Sequence, residues 1–204
     1  MALKTLSVVN DMLGLLGELP INSIDEPHQL LPAALAKLNS ANSLVQSDFW
    51  WFNVEYPTLI PQVGTGQILV PDDAASVDSL TQYPRLAIRG NRLYNLDDVT
   101  DVFTSSLRVR LHRITPFDDV PIVARAHIAA KAKLDFQKDY DGDLTKMQIL
   151  RQEIQETYVR MHAEHIRNAK ANLLYRPSTM ATLMNIVGDK PSFGNGTSWL
   201  SVGG

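Results

Sequence analysis

The sequence predicts an α+β protein: a helical bundle with a long C-terminal helix pair and a small inserted antiparallel β-sheet. Apolar residues recur at helical spacing near the start of the chain and again after residue 117. Between these parts, residues 52–116 consist of short alternating segments separated by Pro and Gly, which is typical of strands and turns. Four consecutive aromatic residues, Phe49 to Phe52, lie where the helical pattern gives way to the sheet pattern.

This change of pattern predicts the domain organisation. Residues 1–51 and 117–176 form a discontinuous helical domain, and residues 52–116 form the inserted β domain. Residues 177–204 have turn composition without a period, but they retain apolar side chains. We expect this tail to make contacts with partners.

Two helices are predicted before the aromatic run. The first carries an apolar stripe, and Gly17 and Pro20 end it. The second carries a stripe that extends to Phe49, so we expect it to hold the aromatic run at its C-terminal end. Asn42 interrupts this second stripe and would need a hydrogen-bond partner if buried. The two stripes consist of Leu6, Val9, Leu13 and Leu16, and of Leu31, Leu35, Leu38, Val45 and Phe49.

Within the β region, the clearest unit is a hairpin. Residues 85–89 and 92–96 flank Gly90-Asn91, a pair that accepts the positive φ of a two-residue turn. Val102-Phe103 and Leu107–Ile114 are further predicted strands, the second with regular alternation of apolar and polar residues.

Two more helices are predicted after the sheet. Asp118, Asp119 and Pro121 favour a helix start, and that helix runs to about Tyr140. Asp143 is the predicted N-cap of a last helix that continues to about Tyr175, on the order of 48 Å at about 1.5 Å per residue. A helix of this length is expected to project or pair beyond its own core. Its apolar seam consists of Met147, Leu150, Ile154, Tyr158 and Met161.

Composition narrows the functional classes. The 204 residues are 45% hydrophobic and 20% charged, as in an ordinary globular protein, and include no cysteine. Neither a secretory signal nor an apolar run of about 20 residues is visible, so we expect a soluble protein made in the cytoplasm, without a membrane partner. The net charge of −3 disfavours non-specific binding to nucleic acid.

The carboxylates and histidines do not form a recognisable catalytic or metal motif. Asp139, Asp141 and Asp143 alternate like the start of a calcium loop, but the required Gly and Glu positions are occupied by leucines. His162 and His165 lie three apart, whereas the zinc-protease motif places its histidines four apart. We therefore predict neither an enzyme nor a cofactor or metal site.

Two exposed features are candidates for contacts. Arg108, Arg110 and His112 share one face of a predicted strand, which is either solvated or faces DNA or an acidic partner subunit. The aromatic run is interpreted as a core anchor rather than a stacking platform for bases or sugars. Within it, Trp50 and Phe52 are expected to fasten the sheet to the helical body, and Trp51 to face a neighbouring subunit.

The order of these parts is similar to that of the tail tubular protein A family of short-tailed bacteriophages, the head-to-tail adaptor. The resemblance rests on Ser7–Ile21, with its Gly-Glu-x-Pro end, on Val45–Glu55, with its Trp-x-Phe-Asn block, on Leu59–Pro61 and on Arg92–Leu96. It extends into the closing helices. The doubled tryptophan and the segment after residue 177 depart from the family pattern.

The resemblance implies a structural virion protein that forms a ring, usually of twelve copies, between the portal protein and the tail nozzle protein. The ring would enclose the channel through which genomic DNA leaves, without binding it specifically. The family pattern carries no catalytic residue. The residues expected at interfaces are Trp51, Arg89, Gly90, Asn91, Arg92, Arg108, Arg110, His162, His165 and Trp199.

Two other classes of function stay open at this point. A hydrolase accessory of the tail would need carboxylates or histidines that converge in a pocket. A monomeric helical module for ligand binding or regulation would need an apolar pocket and no large exposed apolar patch.

Overall fold

Four α-helices and six β-strands occur in residues 3–174, the part of the chain that the computed structural model describes, with side chains described to residue 169. The helices are α1 (Thr5–Leu15), α2 (Leu31–Val45), α3 (Ile122–Tyr140) and α4 (Leu144–Leu174), with a short 3₁₀ helix at Phe117–Asp119. The strands are β1 (Val54–Glu55), β2 (Thr58–Leu59), β3 (Ala74–Ser79), β4 (Leu86–Arg89), β5 (Arg92–Asn95) and β6 (Leu107–Arg113). The predicted α+β class is confirmed.

The helix boundaries follow local chemistry. Gly17 adopts a φ of 81° just after α1, which ends that helix as predicted. At the start of α4, the carboxylate of Asp143 accepts hydrogen bonds from the backbone N–H groups of Thr145 (2.7 Å) and Lys146 (3.1 Å). Asp143 is therefore the N-cap that the sequence predicts.

The helices share one apolar cluster. Three alanines of α3, Ala124, Ala130 and Ala132, are fully buried, and their small side chains let the neighbouring helices approach closely. Phe136 of α3 and Met161 of α4 are also fully buried. Tyr158, predicted to lie in the α4 seam, is instead 41% exposed.

β6 is the central strand of the main sheet. β1 and β2 pair with it antiparallel in one continuous register, from Val54 opposite His112 to Leu59 opposite Leu107. They therefore act as one edge strand that is interrupted at Tyr56 and Pro57, where proline cannot donate a ladder hydrogen bond. β3 pairs with the other edge of β6.

The predicted hairpin is confirmed. β4 and β5 pair antiparallel, with Arg89 opposite Arg92, and Gly90 in the turn has a φ of 62°. The strand predicted at Val102-Phe103 is wrong, because Val102 makes only an isolated bridge with Gln67. Phe103 instead fills a second apolar cluster beneath the sheet, together with Ile68, Val70, Val77, Leu93, Val109 and Leu111.

The aromatic run does not continue α2. That helix ends at Val45, and the aromatic residues form a turn between α2 and β1. Trp50 is 7% exposed and donates a hydrogen bond from its indole N–H to the carbonyl of Val45 at 2.7 Å. The prediction that α2 extends to Phe49 is wrong, because the Asn53 side chain stabilises a turn at this point. Its oxygen accepts a hydrogen bond from the backbone N–H of Trp50 at 2.9 Å.

Trp51 and Phe52 are both half-buried against the helical cluster, with their rings edge to face at 5.0 Å. The expectation that Phe52 fastens the sheet to the helical body stays a prediction: its ring packs on the helical cluster two residues before β1. Phe49 is the aromatic residue that touches β6: its ring lies 4.9 Å from the His112 ring and beneath the Arg110 guanidinium.

A buried polar network joins the helical cluster to the sheet. Gln46, which is fully buried, exchanges two hydrogen bonds with the backbone of Thr115, its side-chain amide donating at 2.7 Å and its side-chain oxygen accepting at 2.9 Å. Asn42 donates to the same Thr115 carbonyl at 3.0 Å, so this predicted buried amide has its partner.

The other half of the network contacts β6. The carbonyl oxygen of Gln46 accepts from the Asn53 amide (3.1 Å) and lies 2.6 Å from Nε2 of His112. Since a carbonyl has no hydrogen to give, His112 carries its hydrogen on Nε2. The backbone N–H of Arg113 donates to the Asn53 carbonyl at 2.9 Å. Asn53 and Gln46 thereby fix the end of β6 against the C-terminal end of α2. We call this set of residues the junction network; it consists of Asn42, Gln46, Asn53, His112 and Thr115.

Residues up to His165 form one compact unit, and the described residues from Ile166 onward continue α4 as part of a second unit. Both apolar clusters lie in the first unit. The division into a helical and an inserted β domain stays a prediction, as do the partner contacts of residues 177–204, which lie outside the described residues.

Replacing Asn53 should destabilise the protein strongly. Asn53→Ala removes the side-chain acceptor of the Trp50 N–H, which keeps only its 3.1 Å bond to the Asp48 carbonyl. It also removes the donors to the Asp48 carbonyl and to the Gln46 carbonyl, which keeps only His112. Each of these hydrogen bonds contributes about 0.5–1.5 kcal/mol. We expect a fall of about 2–3 kcal/mol in the free energy of unfolding, measured by urea denaturation. Asn39→Ala, at an exposed position of α2, is the matched control and should change stability by less than about 0.5 kcal/mol. Equal effects of the two variants would contradict the role of the network.

Candidate assembly surface

The tip of the β4–β5 hairpin carries two exposed arginines. The Arg89 guanidinium lies 3.6 Å from the centre of the Tyr94 ring, a cation–π geometry that holds it in place. Arg92 makes one long ion pair, 3.4 Å, with Asp101. Together with Gly90 and Asn91 these side chains line a shallow cleft. The four predicted contact residues at positions 89–92 are thus exposed and adjacent, but their role in an interface stays a prediction.

The basic residues of β6 do not form one exposed stripe. Arg108 is exposed, and Arg110 is half-buried, paired with Asp78 at 2.8 Å. His112 is only 2% exposed, because the Asn53 turn and the Phe49 ring cover that end of the strand face. The prediction of a continuous basic surface is wrong for His112. Arg108 and Arg110 stay as candidate contact residues.

His162 and His165 belong to an aromatic cluster rather than to a metal site. His162 is exposed and stacks on Tyr158 with ring centres 5.7 Å apart. His165 is half-buried, with its ring edge-on to Trp50 at 5.3 Å and 6.2 Å from Trp51. Trp51 therefore sits beside His165 at the edge of this cluster. Among residues 3–169, no three His, Asp or Glu side chains come together as metal ligands.

The alternating aspartates serve separate structural purposes. Asp139 pairs with Lys37 of α2. Asp141 accepts hydrogen bonds from Lys146 (2.8 Å) and Gln137 (2.6 Å), and these lower the pKa of its carboxyl below the ordinary value. With Asp143 capping α4, each carboxylate is directed to its own partner rather than to a shared pocket.

Sequence reasoning missed a groove on the helical body. Its walls come from the C-terminal end of α2, the middle of α3 and the residues of α4 around Tyr158. We name it the helical groove; it is lined by Leu44, Val45, Ser47, Asp48, Trp50, His127, Lys131, Ile154, Gln155 and Tyr158. The sequence contained one indication of this groove: Leu44 is a large apolar residue that lies outside the predicted apolar stripe of α2. In the structure it is 56% exposed.

His127 forms part of the groove wall and is 5% exposed. Its Nδ1 lies 3.2 Å from the hydroxyl oxygen of Thr157 on α4. Burial lowers the pKa of His127 below 6.5, and the positive charge of Lys131 lowers it further. The imidazole is thus held in its neutral form, which favours α3–α4 packing at neutral pH.

The fold is α+β, and the hairpin tip and the helical groove are exposed features that could make contacts. A family model described as tail tubular protein matches residues 6–171, more than half of the chain. The chain belongs to the tail tubular protein family and is a structural component of a bacteriophage tail. The resemblance found in the sequence is confirmed at the level of this family. A comparison with curated proteins found no match.

No helix among residues 3–174 is both long enough and apolar enough to cross a membrane. Trp199, the last of the predicted contact residues, lies outside the described residues.

The buried His127 should make stability depend on pH. A histidine whose pKa is lowered by folding contributes stability that is fully present above about pH 6.5 and is lost as the pH falls through the lowered value. His127→Gln should therefore flatten the decline in unfolding free energy between pH 7 and pH 5, by at most about 1.4 kcal/mol per pH unit. Urea titrations at several pH values measure this. His28→Gln is the control, and an unchanged slope in His127→Gln would count against this role for His127.

Proposed function

We propose that this protein is the subunit of a ring-shaped head-to-tail adaptor in a short-tailed phage. The ring, of about twelve copies, joins the portal protein to the tail nozzle protein and encloses the DNA exit channel. The observation that carries the proposal is the match to the tail tubular protein family across both the helical body and the sheet. The finer role comes from the resemblance of the Gly-Glu-x-Pro and Trp-x-Phe-Asn blocks to the adaptor family.

The physical properties of the chain support an assembling subunit. The helix α4 is 31 residues long, about 46 Å, and carries exposed apolar side chains such as Ile149 (64%) and Val159 (56%). Exposed apolar residues on loops of the sheet, among them Ile60 and Val63, add contact area. Surfaces of this kind favour association with other copies or other tail proteins.

The charge of the chain suits a channel that conducts DNA. A net charge of −3 gives little counterion release on binding phosphate, so transit is not opposed by tight binding. The basic groups of the hairpin tip and of β6 are few and partly paired, and we assign them to contacts with neighbouring proteins.

Electron microscopy of the purified protein, alone and mixed with portal particles, tests this function. We expect closed rings of about twelve subunits in at least one of the two samples, and light scattering should give a mass that agrees with the ring. Controls are portal particles without the protein. A protein that stays monomeric under both conditions would contradict the adaptor role and favour a monomeric binding module.

A further inference from the structure

The helical groove has an apolar floor and an unpaired cation. Leu44 and Tyr158 are 56% and 41% exposed, and Ile154 lies half-buried between the helices. Lys131 is half-buried on α3, yet it makes no ion pair with any carboxylate of residues 3–169. A carboxylate that approaches this ammonium would gain Coulomb energy.

The other charged groups facing Lys131 leave it free for a partner. Asp48 is the one carboxylate among the groove residues; it is exposed at the α2–β1 turn and makes no ion pair with Lys131. The His127 imidazole is held neutral by burial. The groove therefore fits a segment that presents an apolar side chain next to a carboxylate.

This chain presents such a segment on the loop between α1 and α2. No lysine or arginine occurs from residue 5 to residue 36, so this part of the chain is acidic. In the loop, Leu19 is 82% exposed beside Glu18, and Ile24 is 47% exposed beside Asp25. Among the described residues, neither carboxylate pairs with a lysine or arginine, and Nε2 of His28 lies 3.9 Å from Glu18.

The loop is held in a fixed shape, which lowers the entropy lost on docking. The side chain of Asn10 accepts from the Ile21 N–H and donates to the Ile21 carbonyl, both at 2.9 Å. Lys146 donates to the Leu15 carbonyl at 2.8 Å, which fixes the start of the loop.

We infer that the helical groove binds the α1–α2 loop (residues 16–30) of a second copy of this chain, Leu19 entering between Leu44 and Tyr158 and the loop carboxylates pairing with Lys131. This inference rests on the proposed ring. The loop and the groove lie at opposite ends of α2, a helix of 15 residues and about 22 Å. One copy can therefore offer its loop to one neighbour and its groove to the other, the head-to-tail contact that builds a closed ring.

Cysteine cross-linking tests the contact directly, since the chain has no cysteine of its own. Leu19→Cys and Leu44→Cys variants are mixed under ring-forming conditions, with portal particles if these are required, and oxidised. We expect a covalent dimer in the mixture and much less in either variant alone. Leu19→Cys mixed with Ser105→Cys, at an exposed position of the sheet region, is the matched control. Equal yields in the two mixtures would overturn the inference.

Charge reversal tests the ion pair. Lys131→Glu should raise the protein concentration needed for half-maximal ring formation about ten-fold, because the loop carboxylates then face a like charge. Adding Glu18→Lys and Asp25→Lys to the same chain should restore assembly. Lys138→Glu, the same change at an exposed position of α3, is the control and should assemble normally. Thermal unfolding checks that each variant is folded.

The outcomes separate the two proposals. A wild-type protein that forms no ring contradicts the adaptor role itself. A wild-type ring whose assembly responds equally to Lys131→Glu and Lys138→Glu leaves the adaptor role standing and overturns the loop-in-groove contact. If Lys131→Glu blocks binding to portal particles but leaves self-assembly intact, the occupant of the groove is the portal protein, which also overturns the inference.

Discussion

The hydrogen bonds made by the backbone carbonyl and the side-chain amide of Gln46 fix the sheet against the helices, and the rest of the structure depends on them. The helices and the sheet each close their own apolar cluster, so apolar packing alone does not fix how the two parts meet. At their junction, the side-chain amide of Gln46 is hydrogen-bonded to the backbone of Thr115. The side-chain amide of Asn53 donates to the backbone carbonyl of Gln46, and the backbone carbonyl of Asn53 accepts from the Arg113 N–H. Because these groups are buried, any other arrangement would leave several of them without partners, which strongly favours this one.

This constraint links the fold to its role in a tail protein. The junction network joins the central strand of the main sheet to the C-terminal end of α2. The helical groove lies at the same end of α2, with Leu44 and Trp50 in its wall. The proposed contact between copies would therefore lie next to the junction network.

The sequence predicted the features that depend on neighbours along the chain. The hairpin at Gly90 and the Asp143 cap follow from the residue preferences of turns and helix caps. The α+β class follows from the spacing of apolar residues, which is helical in some segments and alternating in others. The burial of His112 could not be predicted, because strand alternation shows which residues share a face but not what covers it. The helical groove was missed for the same reason: its walls come from three elements distant in sequence. The early end of α2 had a readable signal in the polar residues Ser47, Asp48 and Asn53.

If the junction network fixes the sheet to the helical body, the two parts must open together. Native-state hydrogen exchange measures this most directly, by comparing the opening free energies of amides in β6 with those in α2 and α3. The account predicts that the slowest amides of β6 and of these helices exchange with the same free energy and the same dependence on denaturant. Exchange of β6 through a separate opening of lower free energy, while α2 and α3 stay protected, would contradict it.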